Sequence, residues 1–199
     1  NRDLYPVIWK IETRGIPIHR EALDTAIDIC RQGIKECHDR CNKIAGLDLE
    51  TYTDAHLRSV LIDRFGLRSP RLTPAANRPS VDASAREAML GTAEGPALEF
   101  LTSYQQEKTY TTKLRYLTSY SDQAISSSKV CYDIKCQHAN SEFLFPRLNS
   151  VGTQTTRFSS SNPNAQNIGT GKEIPCLRSV FRPESGRWWF PIDYNQLQL

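Results

Sequence analysis

No part of this 199-residue chain approaches the roughly 18 consecutive apolar residues that a membrane-spanning helix needs. The N-terminal Asn1-Arg2-Asp3-Leu4-Tyr5-Pro6 has no signal-peptide shape either. A large excess of either charge is lacking: 25 Lys and Arg stand against 22 Asp and Glu, a net charge of +3. That balance permits an anionic partner without requiring one. There is no internal repeat, and 39% hydrophobic with 24% charged residues is ordinary for a globular protein of one domain or two small ones. The expectation is a soluble, intracellular chain. Any argument for a nucleic-acid partner has to come from local patterns.

Six cysteines raise the question of disulfides or metal, and their spacing speaks against both. Cys30, Cys37 and Cys41 fall in the series Leu23, Ile27, Cys30, Ile34, Cys37, Cys41, Ile44, whose alternating steps of 4 and 3 trace one face of a helix. They read as small buried apolar residues. Cys131, Cys136 and His138, with the distant Cys176, give Cys-x4-Cys-x-His, which is not a usual structural-zinc spacing. Free thiols in a reducing compartment fit better than a disulfide scaffold.

The same periodicity organises the first half of the chain. Residues 5–15 form an apolar segment ending at Gly15, a residue suited to a helix C-cap, and Ile16-Pro17-Ile18 reads as extended. The heptad-spaced stretch from Arg20 to Ala45 predicts a helix of about 39 Å, stopped by Gly46. A rod of that length needs a partner. Thr53-Asp54 suits the start of a second helix running to Phe65, and Pro70, Pro74 and Pro79 mark residues 67–81 as a mobile loop. After a short helix near 82–90 and a break at Gly91 to Pro96, a long helix over 97–118 is expected. Its anchors would be Leu98, Leu101, Tyr104, Leu114 and Leu117, and it is the natural antiparallel partner of the first rod. Beyond about 122 the style changes to Ser, Asn, Gln and Gly, with strand-length apolar runs at Lys129 to Ile134 and Trp188 to Ile192.

Three places carry chemistry. Asp193 follows the apolar run Arg187-Trp188-Trp189-Phe190-Pro191-Ile192, so it is expected at the end of a buried strand. A carboxylate there either ends a turn or helps hold a hard divalent cation. Around Arg157, residues 153–168 are more than half Ser, Thr and Asn, with Gln154 and Gln166 added. Such a block is either a surface loop tied by Asx and Ser turns or a contact to the minor groove and sugar-phosphate backbone, where donors meet acceptors that vary little with sequence. Finally, Gln106 to Lys113 interleaves two cations with hydroxyls and one ring, which suits a solvated helix face or a phosphate grip.

Taken together, these segments resemble family A DNA polymerases. Thr156-Arg157-Phe158-Ser159-Ser160-Ser161-Asn162-Pro163-Asn164-Ala165-Gln166-Asn167-Ile168 is similar to the family's T-G-R-L-S-S-x-x-P-N-L-Q-N-I-P block. Asp193-Tyr194-Asn195-Gln196-Leu197-Gln198-Leu199 is similar to its motif A, D-Y-S-Q-I-E-L, and Leu177-Arg178-Ser179-Val180-Phe181 to I-R-x-x-F. Upstream, Ile11 to Ile18 and Lys108 to Leu114 look like segments at the start of the thumb and in its second long helix. The resemblance covers nearly the whole chain, in order and spacing.

The resemblance implies an α+β fold with right-hand polymerase architecture: long antiparallel thumb helices followed by the first strands of a palm. Residues 1–122 would be the thumb, with 1–18 at the base of the palm, and 123–199 the N-terminal part of the palm. It implies that Asp193 ligates two Mg2+ ions, aided by the Tyr194 backbone carbonyl, and that Arg157 senses the primer terminus. Asn164, Gln166 and Asn167 would hold template and primer. Lys108, Thr109, Tyr110, Thr111 and Lys113 would hold the duplex behind them, and Gln196 and Gln198 would act in nucleotide and sugar selection. Primer-template DNA and deoxynucleoside triphosphates are the implied partners, with no membrane and no obligate protein partner, in the cytoplasm of a bacterium or a virus-infected cell.

Departures from the family pattern are local. Gln198 replaces the glutamate that excludes a ribose 2′-OH, keeping its length and losing its charge; Gly169 replaces a proline, and Thr156 a glycine. The family's nucleotide-binding helix, its second catalytic carboxylate and its exonuclease carboxylates have no counterpart in residues 1–199. The chain is therefore expected to be part of a longer polymerase and inactive by itself. The alternatives are a non-catalytic nucleic-acid-binding module and, against the Asn-Pro-Asn-Ala-Gln-Asn block, a single-subunit RNA polymerase.

Overall fold

The computed structural model describes residues 4–74, 77–126, 142–150, 157–168, 175, 177–183 and 186–190. Helices α1 (Leu4–Arg14), α2 (Arg20–Ala45), α3 (Asp54–Arg58), α4 (Ala83–Leu90) and α5 (Gly95–Gln123) dominate. Short strands β1 (Ile16–Ile18), β2 (Ile125–Ser126), β3 (Glu142–Leu144), β4 (Arg147–Asn149) and β5 (Ser159–Ser161) complete a mixed helix-and-sheet fold. The chain divides into two compact units, Asn1–Ile29 with Lys113–Leu199, and Cys30–Thr112.

In the unit Cys30–Thr112, the C-terminal part of α2 packs against α5. Gly33 meets Tyr110, Cys37 meets Gln106 and Cys41 meets Phe100, so numbers rise along one helix as they fall along the other. This is the expected antiparallel pair. Cys37 and Cys41 are buried as their periodicity predicts, and burial pushes the Cys41 thiol up to about 12. Phe100 is the centre of an aromatic cluster, edge-on to Tyr52 at 5.5 Å and to Phe65 at 6.0 Å and stacked on Tyr104 at 6.2 Å.

Local signals set the connections. Thr53 accepts from the His56 amide while the His56 ring accepts from the Thr53 amide, a reciprocal cap that starts α3. A π-helical turn, Ser59–Arg64, continues it, and Gly66 at φ +68 ends the run. The prolines at 70, 74 and 79 do not leave the segment unbonded. Leu72 bridges Pro79, Thr73 N donates to Arg78 O at 2.7 Å, and Ser80 N donates to Arg71 O at 2.9 Å. Asp82 then caps α4 by accepting from Ala85 N at 2.8 Å.

Helix α5 starts at Gly95 rather than 97, with Pro96 in the first turn, where its missing N–H costs nothing, and it runs on to Gln123. Leu98 is not an anchor: it is 41% exposed, whereas Ala97, Phe100, Leu101, Tyr104, Leu117 and Tyr120 are buried. A helix face repeats every three to four residues, and Leu98 lies one residue, about 100°, off the stripe that Ala97, Leu101 and Tyr104 follow.

In the other unit, β3 sits between β1 and β2, antiparallel to both, with Ile16 opposite Leu144 and Ile125 opposite Phe143. Gly15 ends α1 at φ +69, and a Cβ there would lie 2.6 Å from the Phe145 ring, so both conformation and space call for glycine. Arg20 joins the sheet to α5: its guanidinium pairs with Glu142 at 2.6 Å and donates to Ser121 at 2.8 Å. A 3-10 turn, Leu177–Val180, buries Leu177 and Val180, and the next residue, Phe181, bridges Ile18. Strand β4 pairs with β5 as a separate two-stranded sheet.

The expected buried strand before Asp193 is not formed over its described part. Residues 187–190 have no strand pairing, and Trp188 and Phe190 are 83% and 81% exposed. A strand needs a neighbour to bond its amides, and none of the described strands pairs with this run. The other expected strand, Lys129 to Ile134, lies outside the described residues, as do Cys131, Cys136, His138 and Cys176.

Candidate nucleic-acid interface

On α5, the segment Gln106 to Lys113 splits by face. Lys108 and Thr109 are exposed, Tyr110 and Thr111 half-buried. Lys108 Nζ lies 4.8 Å from the centre of the Tyr104 ring and 3.5 Å from Glu107 Oε1, while Arg86 approaches the same ring at 5.2 Å. Tyr104 therefore holds two cations at the surface through its π-face. Thr109, Thr111 and Thr112 donate to the carbonyls of Gln105, Glu107 and Lys108, four residues back. Their hydroxyls keep lone pairs for a further donor.

Two members of the segment have structural surroundings that the sequence did not reveal. Tyr110 lies against Gly33 of α2, where a Cβ would come within 2.6 Å of the ring. Lys113 is only 5% exposed. Its place on the inward side of α5 is a consequence of helix phase, three to four residues from the buried Leu117.

The Arg157 block is ordered by its own polar groups. Arg157 and Phe158 are exposed just before β5, and Ser160, the buried middle residue of that strand, faces inward. Ser160 Oγ donates to Pro163 O at 3.3 Å and accepts from Ala165 N at 3.1 Å. Asn164 Oδ1 accepts from Gln166 N at 3.0 Å and Asn167 N at 3.3 Å, an Asx turn. These bonds leave Gln166 and Asn167 as exposed side chains on a fixed backbone. The Asn164 carbonyl accepts from Tyr120 OH at 2.9 Å. Burial pushes the Tyr120 phenol up to about 12, so it remains a donor across the neutral range. Ties by Ser160 and Asn164 agree with the loop held by Ser and Asx turns that the composition allows, whereas nothing singled out Tyr120; its one signal is its position three residues beyond Leu117 on the buried stripe.

Asp193, Tyr194, Gln196 and Gln198 lie outside the described residues, as do Thr153 to Thr156. Among the described residues no group of three or more His, Cys, Asp or Glu side chains could hold a metal. No helix among them is long and apolar enough to cross a membrane.

A model of DNA polymerase family A matches residues 20–199. DNA polymerase I of Borreliella burgdorferi is 24% identical over 198 residues, covering 97% of this chain and 19% of that protein. DNA polymerase I of Caldicellulosiruptor bescii is 27% identical over 202 residues, covering 100% of this chain and 21% of that protein. The chain thus spans about a fifth of the length of these relatives. In fold it is similar to the POL domain of Pol1 from M. smegmatis, solved in complex with DNA primer-template and dNTP, with a TM-score of 0.64 over 87% of this chain and 27% of that one at 18% identity. Because the family match takes in most of the chain, including the Arg157 and Asp193 blocks, the chain belongs to DNA polymerase family A.

Proposed function

We propose that the protein containing this chain carries out DNA-templated DNA synthesis, with residues 1–199 gripping the primer-template duplex and supplying one catalytic carboxylate. The observation that carries this reading is the family match over residues 20–199, which runs through the Arg157 block and the Asp193 block alike. The geometry supports it from the side of binding: Lys108, Thr109, Arg157, Gln166 and Asn167 are all exposed. Contacts of this kind go to phosphates and to groove acceptors shared by all base pairs, as copying any sequence demands.

In this reading residues 1–122 serve as thumb, with 1–18 at the base of the palm, and 123–199 as the first part of the palm. Arg157 meets the minor groove at the primer end. Asn164 shapes the turn that carries Gln166 and Asn167, and Tyr110, Thr111 and Lys113 support the α5 grip more than they touch DNA. Polymerases of this family generally depend on divalent metal ions. A carboxylate at Asp193 and the Tyr194 carbonyl are hard oxygen donors that suit Mg2+. When bound, the ions supply charge stabilisation at the reacting phosphate. Gln196 and Gln198, on the same segment of sequence, are assigned to nucleotide and sugar selection.

The test is a primer-extension assay on the full-length protein with deoxynucleoside triphosphates, beside the Arg157→Ala variant. Templated extension that Arg157→Ala impairs at the primer end supports the reading. Tight duplex binding without any extension would favour the non-catalytic binding module.

A further inference from the structure

The turn at residues 163–167 leaves the side chains of Gln166 and Asn167 exposed and is tied down by two hydroxyls. Tyr120 reaches it from α5, donating to the Asn164 carbonyl at 2.9 Å. Its ring is 0% exposed and packs edge-on against Phe181 with centroids 5.4 Å apart, and Phe181 in turn bridges Ile18 of β1. Ser160 reaches the same turn from β5, bonding Pro163 O and Ala165 N. Asn164 spends its side-chain oxygen inside the turn, on the amides of Gln166 and Asn167. Every one of these bonds fixes backbone. None of them occupies the side chains of Gln166 or Asn167.

We propose that Tyr120, assisted by Ser160, is a positioning residue for duplex recognition: it anchors the 163–167 turn to the α5–Phe181 packing so that Gln166 and Asn167 are aimed before DNA arrives. The proposal rests on the reading of this turn as a DNA contact. A buried phenol suits the task, because an aromatic ring wedged in the core has little freedom and its hydroxyl must keep its acceptor. Without that bond the peptide joining Asn164 to Ala165 is held only from its amide side, by Ser160, and part of the cost of fixing Gln166 and Asn167 falls on the binding step.

The experiment is a double-mutant cycle on the full-length protein, read as primer-template affinity by fluorescence anisotropy, with thermal midpoints recorded in parallel. Tyr120→Phe keeps the ring and removes only the hydroxyl. It is expected to weaken DNA binding roughly 3- to 10-fold, the scale of one lost hydrogen bond, with little change in midpoint. In a Gln166→Ala/Asn167→Ala background the same change should have no further effect on affinity, because the groups it aims are gone. Ser160→Ala is expected to follow the same pattern from the other side of the turn, which keeps the proposal testable if one variant fails to fold. A folded Tyr120→Phe protein with unchanged affinity, or a loss that persists in the double-alanine background, overturns it. If Gln166→Ala/Asn167→Ala alone leaves affinity unchanged, the turn is no DNA contact, and that failure is visible before Tyr120 is altered.

Discussion

His38 Nδ1 lies 3.2 Å from Glu107 Oε2, and the opposite ring nitrogen lies 2.6 Å from the Leu49 carbonyl oxygen. A carboxylate and a carbonyl both accept, so the protonated imidazole, with a proton on each nitrogen, is the form that satisfies both contacts. The Leu49 carbonyl also accepts from Asn42 Nδ2 at 2.9 Å, and Asn42 Oδ1 accepts from Tyr52 OH at 2.8 Å. One network thus ties α2, α5 and the connection after Gly46.

This arrangement makes stability depend on pH. Burial pulls the His38 pKa down, but the bonds to Leu49 and Glu107 outweigh it and the net direction is up from 6.5. A group raised in the folded state stabilises fully below its unfolded value and loses that contribution as pH rises through the folded value. Thermal midpoints measured across the neutral range should therefore fall as pH climbs above 6.5. His38→Gln should remove most of that slope; a variant retaining the full wild-type slope would show that His38 is not its source.

Gly33 and Tyr110 form a steric pair. Alanine in a helix interior is favoured over glycine by about 1 kcal/mol, yet a Cβ at Gly33 would sit 2.6 Å from the Tyr110 ring. Gly33→Ala is expected to destabilise by about 1–3 kcal/mol in the native background and to stabilise by up to about 1 kcal/mol in a Tyr110→Ala background. Urea denaturation of the four proteins checks the change of sign.

Phe100 is fully buried among Tyr52, Phe65 and Tyr104. Phe100→Ala removes the shared member of three ring contacts and should cost about 3–5 kcal/mol, measured as a drop in the denaturant midpoint at constant slope. Leu98→Ala, on the exposed side of the same helix, should cost well under about 1 kcal/mol.

Gln198 keeps the reach of the family's glutamate without its charge. In the full-length protein Gln198→Glu is expected to raise discrimination against ribonucleotides, read as the ratio of kcat/KM for deoxy- and ribonucleoside triphosphates. An unchanged ratio would mean that sugar selection does not involve this position.

The helical part of the fold was legible because its signals are local. The steps of Leu23, Ile27, Cys30 and their successors, closed by Gly46, give α2 its observed limits, and Thr53 and Asp82 cap the helices they precede. What escaped depends on partners that sequence spacing does not name. Leu98 and Phe100 are both apolar, and only phase against the neighbouring helix separates them. Lys113 looked like a surface cation because its burial is decided by tertiary packing. Trp188 to Phe190 has the composition of a strand, but a strand exists only where another bonds to it. The candidate site was legible as letters, Arg157 through Asn167, and its Asx and Ser ties as one of two alternatives, but its anchor was not: nothing near residue 164 in the sequence points to a hydroxyl from residue 120.

The central claim is that Asp193 serves chemistry and the Arg157 block serves binding. It is tested most directly by Asp193→Ala in the full-length protein, with primer extension and primer-template affinity measured on the same preparation. Extension should be abolished while affinity stays close to that of the unmodified protein. Extension that survives, or affinity that falls along with it, would contradict the account.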